Sequence, residues 1–133
     1  MGNGRRSIEV PGFNHGPQPI PAASRIANIV VTGGIYGLDT DTGQVPDDLE
    51  RQTRLTLINL QRVLEAAGAT MEQVVKMTFW VREPEARKFI NPEWLKLFPD
   101  AHSRPARHKI QNDHMAANLL IQCVALAVIA PEG

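Results

Sequence analysis

A single cysteine, Cys123, stands among the 133 residues, which excludes an internal disulfide framework and suits a reducing compartment. Aromatic residues are scarce, with four Phe, two Trp and one Tyr, so a core must come mostly from Leu, Ile, Val and Ala. Neither sign of charge is in excess, 14 basic residues against 14 acidic, and such a chain has no electrostatic reason to sit on nucleic acid or an anionic membrane. No run approaches the roughly 18 apolar residues of a membrane span. The opening MGNGRRSIEVPGF lacks the apolar stretch of a signal peptide, and Arg6 occupies the place where a myristoylation pattern wants Ser or Thr. The expectation is a cytoplasmic protein with one domain over residues 1–133.

Four prolines, Pro11, Pro17, Pro19 and Pro21, with Gly12 and Gly16 between them, make residues 1–18 read as an extended arm. Ser24–Ile26 and Ile29–Thr32 then flank Ala27-Asn28 as a β-hairpin. Asp47 with Glu50 three residues on predicts a capping box. Leu49, Thr53, Leu57, Leu60, Leu64 and Ala67 recur at helical spacing, and Gly68 suits a C-terminal cap, which predicts a helix over about 48–67. Val74–Val81 reads as a strand with Val75, Met77, Phe79 and Val81 on one apolar face. Glu85–Phe98 reads as helical, with Asn91-Pro92 able to start a separate short helix. Ala106–Asn112 and Leu119–Ala130 read as strands joined by a polar turn. The run LLIQCVALAVIA is apolar on both faces, so both need cover. Two helices cover only one face of such a sheet, and another copy of the chain is the expected cover for the second.

Within that run Gln122 is the polar residue, and a buried amide needs a hydrogen-bond partner from the backbone, a neighbouring subunit or a ligand. Arg107 keeps its charge, and a half-buried guanidinium wants a carboxylate or phosphate in its fork. If the last two strands form a hairpin, Arg107 lies near Gln122 with Lys109 on the same face, making a site for an anion. A salt bridge between subunits explains Arg107 equally well. His15, His102, His108 and His114 lack the spacing of a metal-ligand pair, so no metal site is expected. The glycines of VTGGIYG make only a weak phosphate cradle, and no Walker, GxGxxG or GxSxG sequence occurs.

Pro19–Pro21, VTGGI, Thr42-Gly43, Gln52, Asn59, LEAAGAT, VVKMTFWV, Asn91 and the Arg-Pro-Ala-Arg ending at Arg107 follow one another in an order that resembles the RidA (YjgF-like) family of enamine/imine deaminases. The resemblance runs from about Pro19 to Ala130. It implies an α+β, chorismate-mutase-like fold, a mixed sheet with two helices on one face, assembled as a homotrimeric barrel with clefts between subunits. It also implies hydrolysis of 2-imino or 2-enamino acids to 2-oxo acids and ammonia without a cofactor.

By that resemblance Arg107 grips a substrate carboxylate and Asn91 lines the cleft, with Trp94, Gly33 and Ile20 among the substrate-binding positions. The sequence departs from the family at four places: Gln122 replaces an acid that positions water, Lys109 a Cys, Gly33 a Ser and Ile20 a Tyr. An amide can hold a water but cannot take its proton. Lys109 would add a second positive charge, suited to a dicarboxylate. The expected function is a cofactor-free deaminase for a carboxylated imine or enamine, with Arg107, Gln122 and Asn91 as catalytic candidates. The alternative is a trimer that binds a small carboxylate without turnover. The ribonuclease activity attached to some relatives fits poorly with a neutral chain lacking a His/Lys/Glu constellation.

Overall fold

The alternating runs become seven strands of one mixed sheet, and the two helical runs lie together on one of its faces. The computed structural model describes residues 3–116 and 118–131. The strands are β1 (Arg6–Ile8), β2 (Ala23–Ile26), β3 (Ile29–Thr32), β4 (Ile35–Tyr36), β5 (Val74–Val81), β6 (Ala106–Gln111) and β7 (Ile121–Val128). The helices are α1 (Leu49–Ala66) and α2 (Arg87–Leu97), with 3₁₀ turns at Met71–Gln73 and Pro84–Ala86. Spatial order is β1-β2-β3-β7-β5-β6, with β4 also pairing with β7. All neighbours are antiparallel except β5 and β6. Among the described residues no helix is long and apolar enough to cross a membrane.

The N-cap of α1 is Asp48, not Asp47. Asp48 has extended backbone and accepts the Arg51 amide at 2.9 Å on one oxygen and Arg51 Nε at 2.6 Å on the other. Glu50 turns outward to Arg54 instead of closing a capping box. At the other end Gly68 has φ +86°. Its N–H donates to Glu65 O and that of Ala69 to Leu64 O, which closes a Schellman motif on otherwise orphaned carbonyls. Leu57, Leu60, Val63 and Leu64 are buried. Two buried amides on the same helix hold loops rather than substrate. Gln52 donates to Pro46 O and Asn118 O and accepts from the Leu120 amide; Asn59 donates to Tyr36 O and Leu38 O. A Cβ on Gly37 would meet the Gln52 carbonyl oxygen at 2.6 Å, so glycine is what lets this loop lie against α1.

The strand β7 carries the two-faced pattern. Ile121, Cys123, Ala125 and Ala127 are buried toward the helices, while Gln122, Val124, Leu126 and Val128 lie on the opposite face. On β5 the expected apolar face needs one correction. A bulge between Val74 and Lys76 puts Val74 inside and leaves Val75 half exposed, after which Met77, Phe79 and Val81 are fully buried. A larger correction concerns β6. It does not form a hairpin with β7; it pairs in parallel with β5, which separates it from β7. Asn91-Pro92 likewise starts no new helix, because α2 continues through Pro92 to Leu97.

The proline-bearing arm is docked rather than projecting. β1 pairs with β2, Val10 bridges to Phe13, and the Phe13 ring is buried beside Tyr36 at 5.0 Å. Burial pushes the Cys123 thiol far above the ordinary thiol range, so it is a core residue rather than a nucleophile.

The shifted cap yields the first prediction. Asp48→Ala lowers the melting temperature by a few degrees while Asp47→Ala leaves it within about one degree. Arg51 holds the Asp48 carboxyl below its ordinary value through its backbone and side-chain hydrogen bonds. The difference between the two variants is therefore present at neutral pH and disappears as pH falls through the native value of Asp48. Equal melting temperatures at pH 7 would contradict the assignment.

Candidate functional site

Parallel pairing of β6 with β5 decides where the candidate cations point. Arg107 pairs with Met77 and Lys109 with Phe79, so both side chains share the helix-facing side of the sheet. There the Arg107 guanidinium lies over the Trp94 ring of α2, 4.9 Å from its centroid. Trp94 is buried and packs edge-on against Phe98 at 4.8 Å, which fixes the platform. The cation has no carboxylate partner among the described residues, and its Nη1 is buried without an acceptor. Burial, and then the nearby charge of Arg87, hold the Arg107 guanidinium below its ordinary value. A guanidinium cannot shed its proton at neutral pH, so the arrangement is a cation lacking an anion.

Asn91 is exposed three residues before Trp94, and Arg87 stands four residues before Asn91. The spacing i, i+4, i+7 places Arg87, Asn91 and Trp94 along one stripe of α2. Lys109 is anchored elsewhere, its ammonium donating to Pro84 O at 2.9 Å at the entrance to α2. Arg87 is the residue that sequence reading missed. Its signal was available as that helical spacing from Asn91 and Trp94.

Gln122 lies on the other face. It pairs with Trp80 on one side and Tyr36 on the other. The expected convergence of Gln122 with Arg107 and Lys109 therefore does not occur within one chain, because β5 intervenes and the side chains point to opposite faces. The amide is half-buried, and it has no hydrogen-bond partner among the described residues. It is set by Gly33-Gly34, the break between β3 and β4. Register shifts by one residue across that break, from Val31 opposite Leu126 to Ile35 opposite Cys123. Thr32 Oγ1 repairs the ladder by accepting the Ala125 amide at 3.0 Å. A Cβ on Gly34 would lie 2.5 Å from Gln122 Nε2, so glycine at this bulge leaves room for the amide.

Gly33 donates to Ala22 O at 2.8 Å and lies against Pro21 O, next in sequence to the exposed Ile20. His15 completes this group. Its Nε2 is 2.6 Å from Gly34 O, and since a carbonyl only accepts, Nε2 carries the proton. Its Nδ1 is buried with no partner among the described residues, and its ring stacks edge-on with those of Phe13 and Tyr36.

One chain thus holds two half-sites: a cationic one at Arg107, Trp94, Asn91 and Arg87, and a polar neutral one at Gln122, Gly33, Gly34 and His15. A concavity of about 860 Å³ between α1 and the loop of residues 39–47 is lined by neither. Its mixed Asp47, Arg51, Leu55 and Ile58 lining carries no converging chemistry. No group of three or more His, Cys, Asp or Glu side chains among the described residues is arranged to hold a metal.

Comparison with known proteins assigns the family. The family model for endoribonuclease L-PSP matches residues 19–129. A RutC family protein of Pyrococcus abyssi is 28% identical over 110 residues, 82% of this chain and 85% of its own. The 2-iminobutanoate/2-iminopropanoate deaminase of Escherichia coli is 28% identical over 104 residues, 77% of this chain and 81% of its own. The structure of the Rid-family protein YyfA of Yersinia pestis superposes with a TM-score of 0.85 at 25% identity, covering 94% of this chain and 99% of that one. The sheet order, the helix pair and these matches place the chain in the RidA/YjgF family, the family whose model carries the name endoribonuclease L-PSP.

Proposed function

We propose that this protein is a cofactor-free deaminase for carboxylated imines or enamines, with each active site completed by two copies of the chain. The observation that carries the reading is Arg107. It is a half-buried guanidinium set on Trp94 with an unsatisfied Nη1 and no carboxylate among the described residues to neutralise it. Relatives named as 2-iminobutanoate/2-iminopropanoate deaminases act on substrates with a carboxylate next to the reacting carbon, which is the group such a fork takes.

The exposure of the outward face supports a second copy. Ile29, Val31, Ile110 and Leu126 are each more than a third exposed and lie on the side away from the helices, around Gln122. Covering them is worth roughly 1 kcal/mol apiece. Three copies closing these faces into a chorismate-mutase-like barrel would bring the Gln122 half-site of one subunit toward the Arg107 half-site of the next.

In such a cleft Arg107 holds the carboxylate while Gln122 and Asn91 position water at the adjacent C=N carbon. Water adds to that carbon and one of its protons passes to the imine nitrogen, giving a carbinolamine. The hydroxyl of that carbinolamine then gives its proton to the nitrogen as the C–N bond breaks, leaving a 2-oxo acid and ammonia. Gln122 holds the water by hydrogen bonds and takes no proton, so the nitrogen of the substrate is the base. Ile20 would supply an apolar wall beside Gly33. The neutral amide also supports a second reading, a trimer that binds small carboxylates without turning them over.

Three outcomes test the reading. Arg107→Ala lowers kcat/KM for ammonia release from freshly generated 2-iminobutanoate by about 100-fold or more. No turnover by the wild type, with a carboxylate that raises the melting temperature only when Arg107 is present, selects the binding protein instead. Gln122→Glu raises turnover by supplying a base; an active enzyme left unchanged by it would refute the role given to the amide. Sedimentation at micromolar concentration gives a trimer, and a monomer there would remove the shared cleft.

A further inference from the structure

The cations around α2 divide into paired and unpaired. Lys88 is 3.4 Å from Glu85 and Lys96 is 3.3 Å from Glu93, ordinary exposed helix pairs. Arg107, Lys109 and Arg87 take part in no ion pair among the described residues. Lys109 has a backbone carbonyl as its partner. Arg87 has none among the described residues, and it stands on the stripe of α2 that leads through Asn91 to Trp94, over which Arg107 lies. Its charge adds to burial in holding the Arg107 guanidinium below its ordinary value. Two like charges held near a buried aromatic platform repel, and an anion between them reverses the sign of that interaction.

We infer that Arg87 binds a second carboxylate, so that the substrate of this site is a 2-imino or 2-enamino dicarboxylate. The inference rests on the proposed role of Arg107 and names the substrate class for it. Each guanidinium is a planar fork matched to one carboxylate, so two of them read two acid groups rather than one. This assignment moves the second charge from Lys109, whose ammonium is held on Pro84 O, to Arg87, which is free to turn toward a ligand. It also agrees with the neutral opposite wall. Gln122, Gly33 and Gly34 add no negative charge to a cleft that would receive two. Asn91, between Arg87 and Trp94 on the stripe, is placed to contact the carbon chain or the nitrogen between the two acid groups.

Product-class acids test the inference without requiring turnover. Calorimetric titration of the full-length protein with 2-oxoglutarate and with 2-oxobutanoate gives at least tenfold tighter binding of the dicarboxylate. Arg87→Ala cuts that ratio at least fivefold, and Arg87→Lys, which keeps the charge but not the fork, cuts it less. A wild-type ratio near one, or a ratio untouched by Arg87→Ala, overturns the second carboxylate site. Arg107→Ala separates this failure from failure of the anchor. If it weakens both acids while Arg87→Ala leaves the ratio alone, the anchor stands and only the dicarboxylate inference falls. If it weakens neither acid, or if the wild type binds neither, both are refuted. Competing rates of ammonia release from the imines of glutamate and of 2-aminobutanoate follow the same ratio in an active enzyme.

Discussion

The strict alternation of side chains along β7 is the constraint on which the rest of the molecule depends. One strand must bury Ile121, Cys123, Ala125 and Ala127 under the helices while presenting Gln122, Val124, Leu126 and Val128 to the other side. Because β7 is bordered by β5 on one edge and by β3 and β4 on the other, its alternation is copied across the sheet. Phe79 and Ile35 share the inward face with Cys123, and Trp80 and Tyr36 share the outward one with Gln122. A one-residue slip would put the polar amide into the core and expose Cys123. The bulge at Gly33-Gly34 shifts register locally while keeping that face assignment, and the Thr32 hydroxyl restores the hydrogen bond that the bulge removes.

The same alternation explains why a single chain holds no complete site. Arg107 is two strands away from Gln122 and follows the inward face; it reaches partial exposure only because β6 is the edge of the sheet and α2 covers it incompletely. An anion on Arg107 and a water on Gln122 can meet only if the outward face of one chain approaches the edge of another. The uncovered apolar residues on that outward face and the uncompensated cation at the edge are then two aspects of one requirement. Both are unfavourable in isolation, the first for hydrophobic and the second for electrostatic reasons. On the proposed reading, assembly would relieve the first and a bound carboxylate the second.

Local order was legible in the sequence wherever periodicity and capping acted within a short span. The boundaries of α1, the glycine at its end, the hairpin of β2 and β3 and the extent of β5 follow from neighbouring residues alone. The cap fell one residue off, since Asp47 and Asp48 are chemically identical and only the Arg51 contact chooses between them. Strand partnership was not legible in the same way. Sequence proximity suggested that β6 turns into β7, but β5–α2–β6 has the long helical connection that parallel strands require, and β6 pairs with β5. Reading that connection first would have moved Arg107 to the inward face beside Trp94 and separated it from Gln122. Gln52 and Asn59 show the converse limit. Their place in the family pattern suggested importance without saying of what kind, and their hydrogen bonds to loop carbonyls assign them to architecture.

Charge gives the last step. The balance of 14 basic against 14 acidic residues is an average over positions that are not equivalent. Outward cations such as Arg54, Lys88 and Lys96 are matched by carboxylates three or four residues earlier in the sequence, at spacings that a helical turn brings together. Arg87 and Arg107 come from different elements and meet only through the packing of α2 on β6, so no local pattern supplies them with an acid. A fold stabilised by its own electrostatics would place a Glu between them, as it does around α1. Leaving that place without one costs stability in the free protein, and on the proposed reading it would reserve the favourable interaction for a ligand. Under that proposal Gln122, at the position where the resemblance implies an acid, acts in the same direction, since a carboxylate on the opposing wall would repel a second acid group at Arg87. On the proposed reading, an amide at 122 and a second guanidinium at Arg87 are compatible parts of one specificity: a cleft that would forgo proton abstraction from water and accept a more highly charged imine.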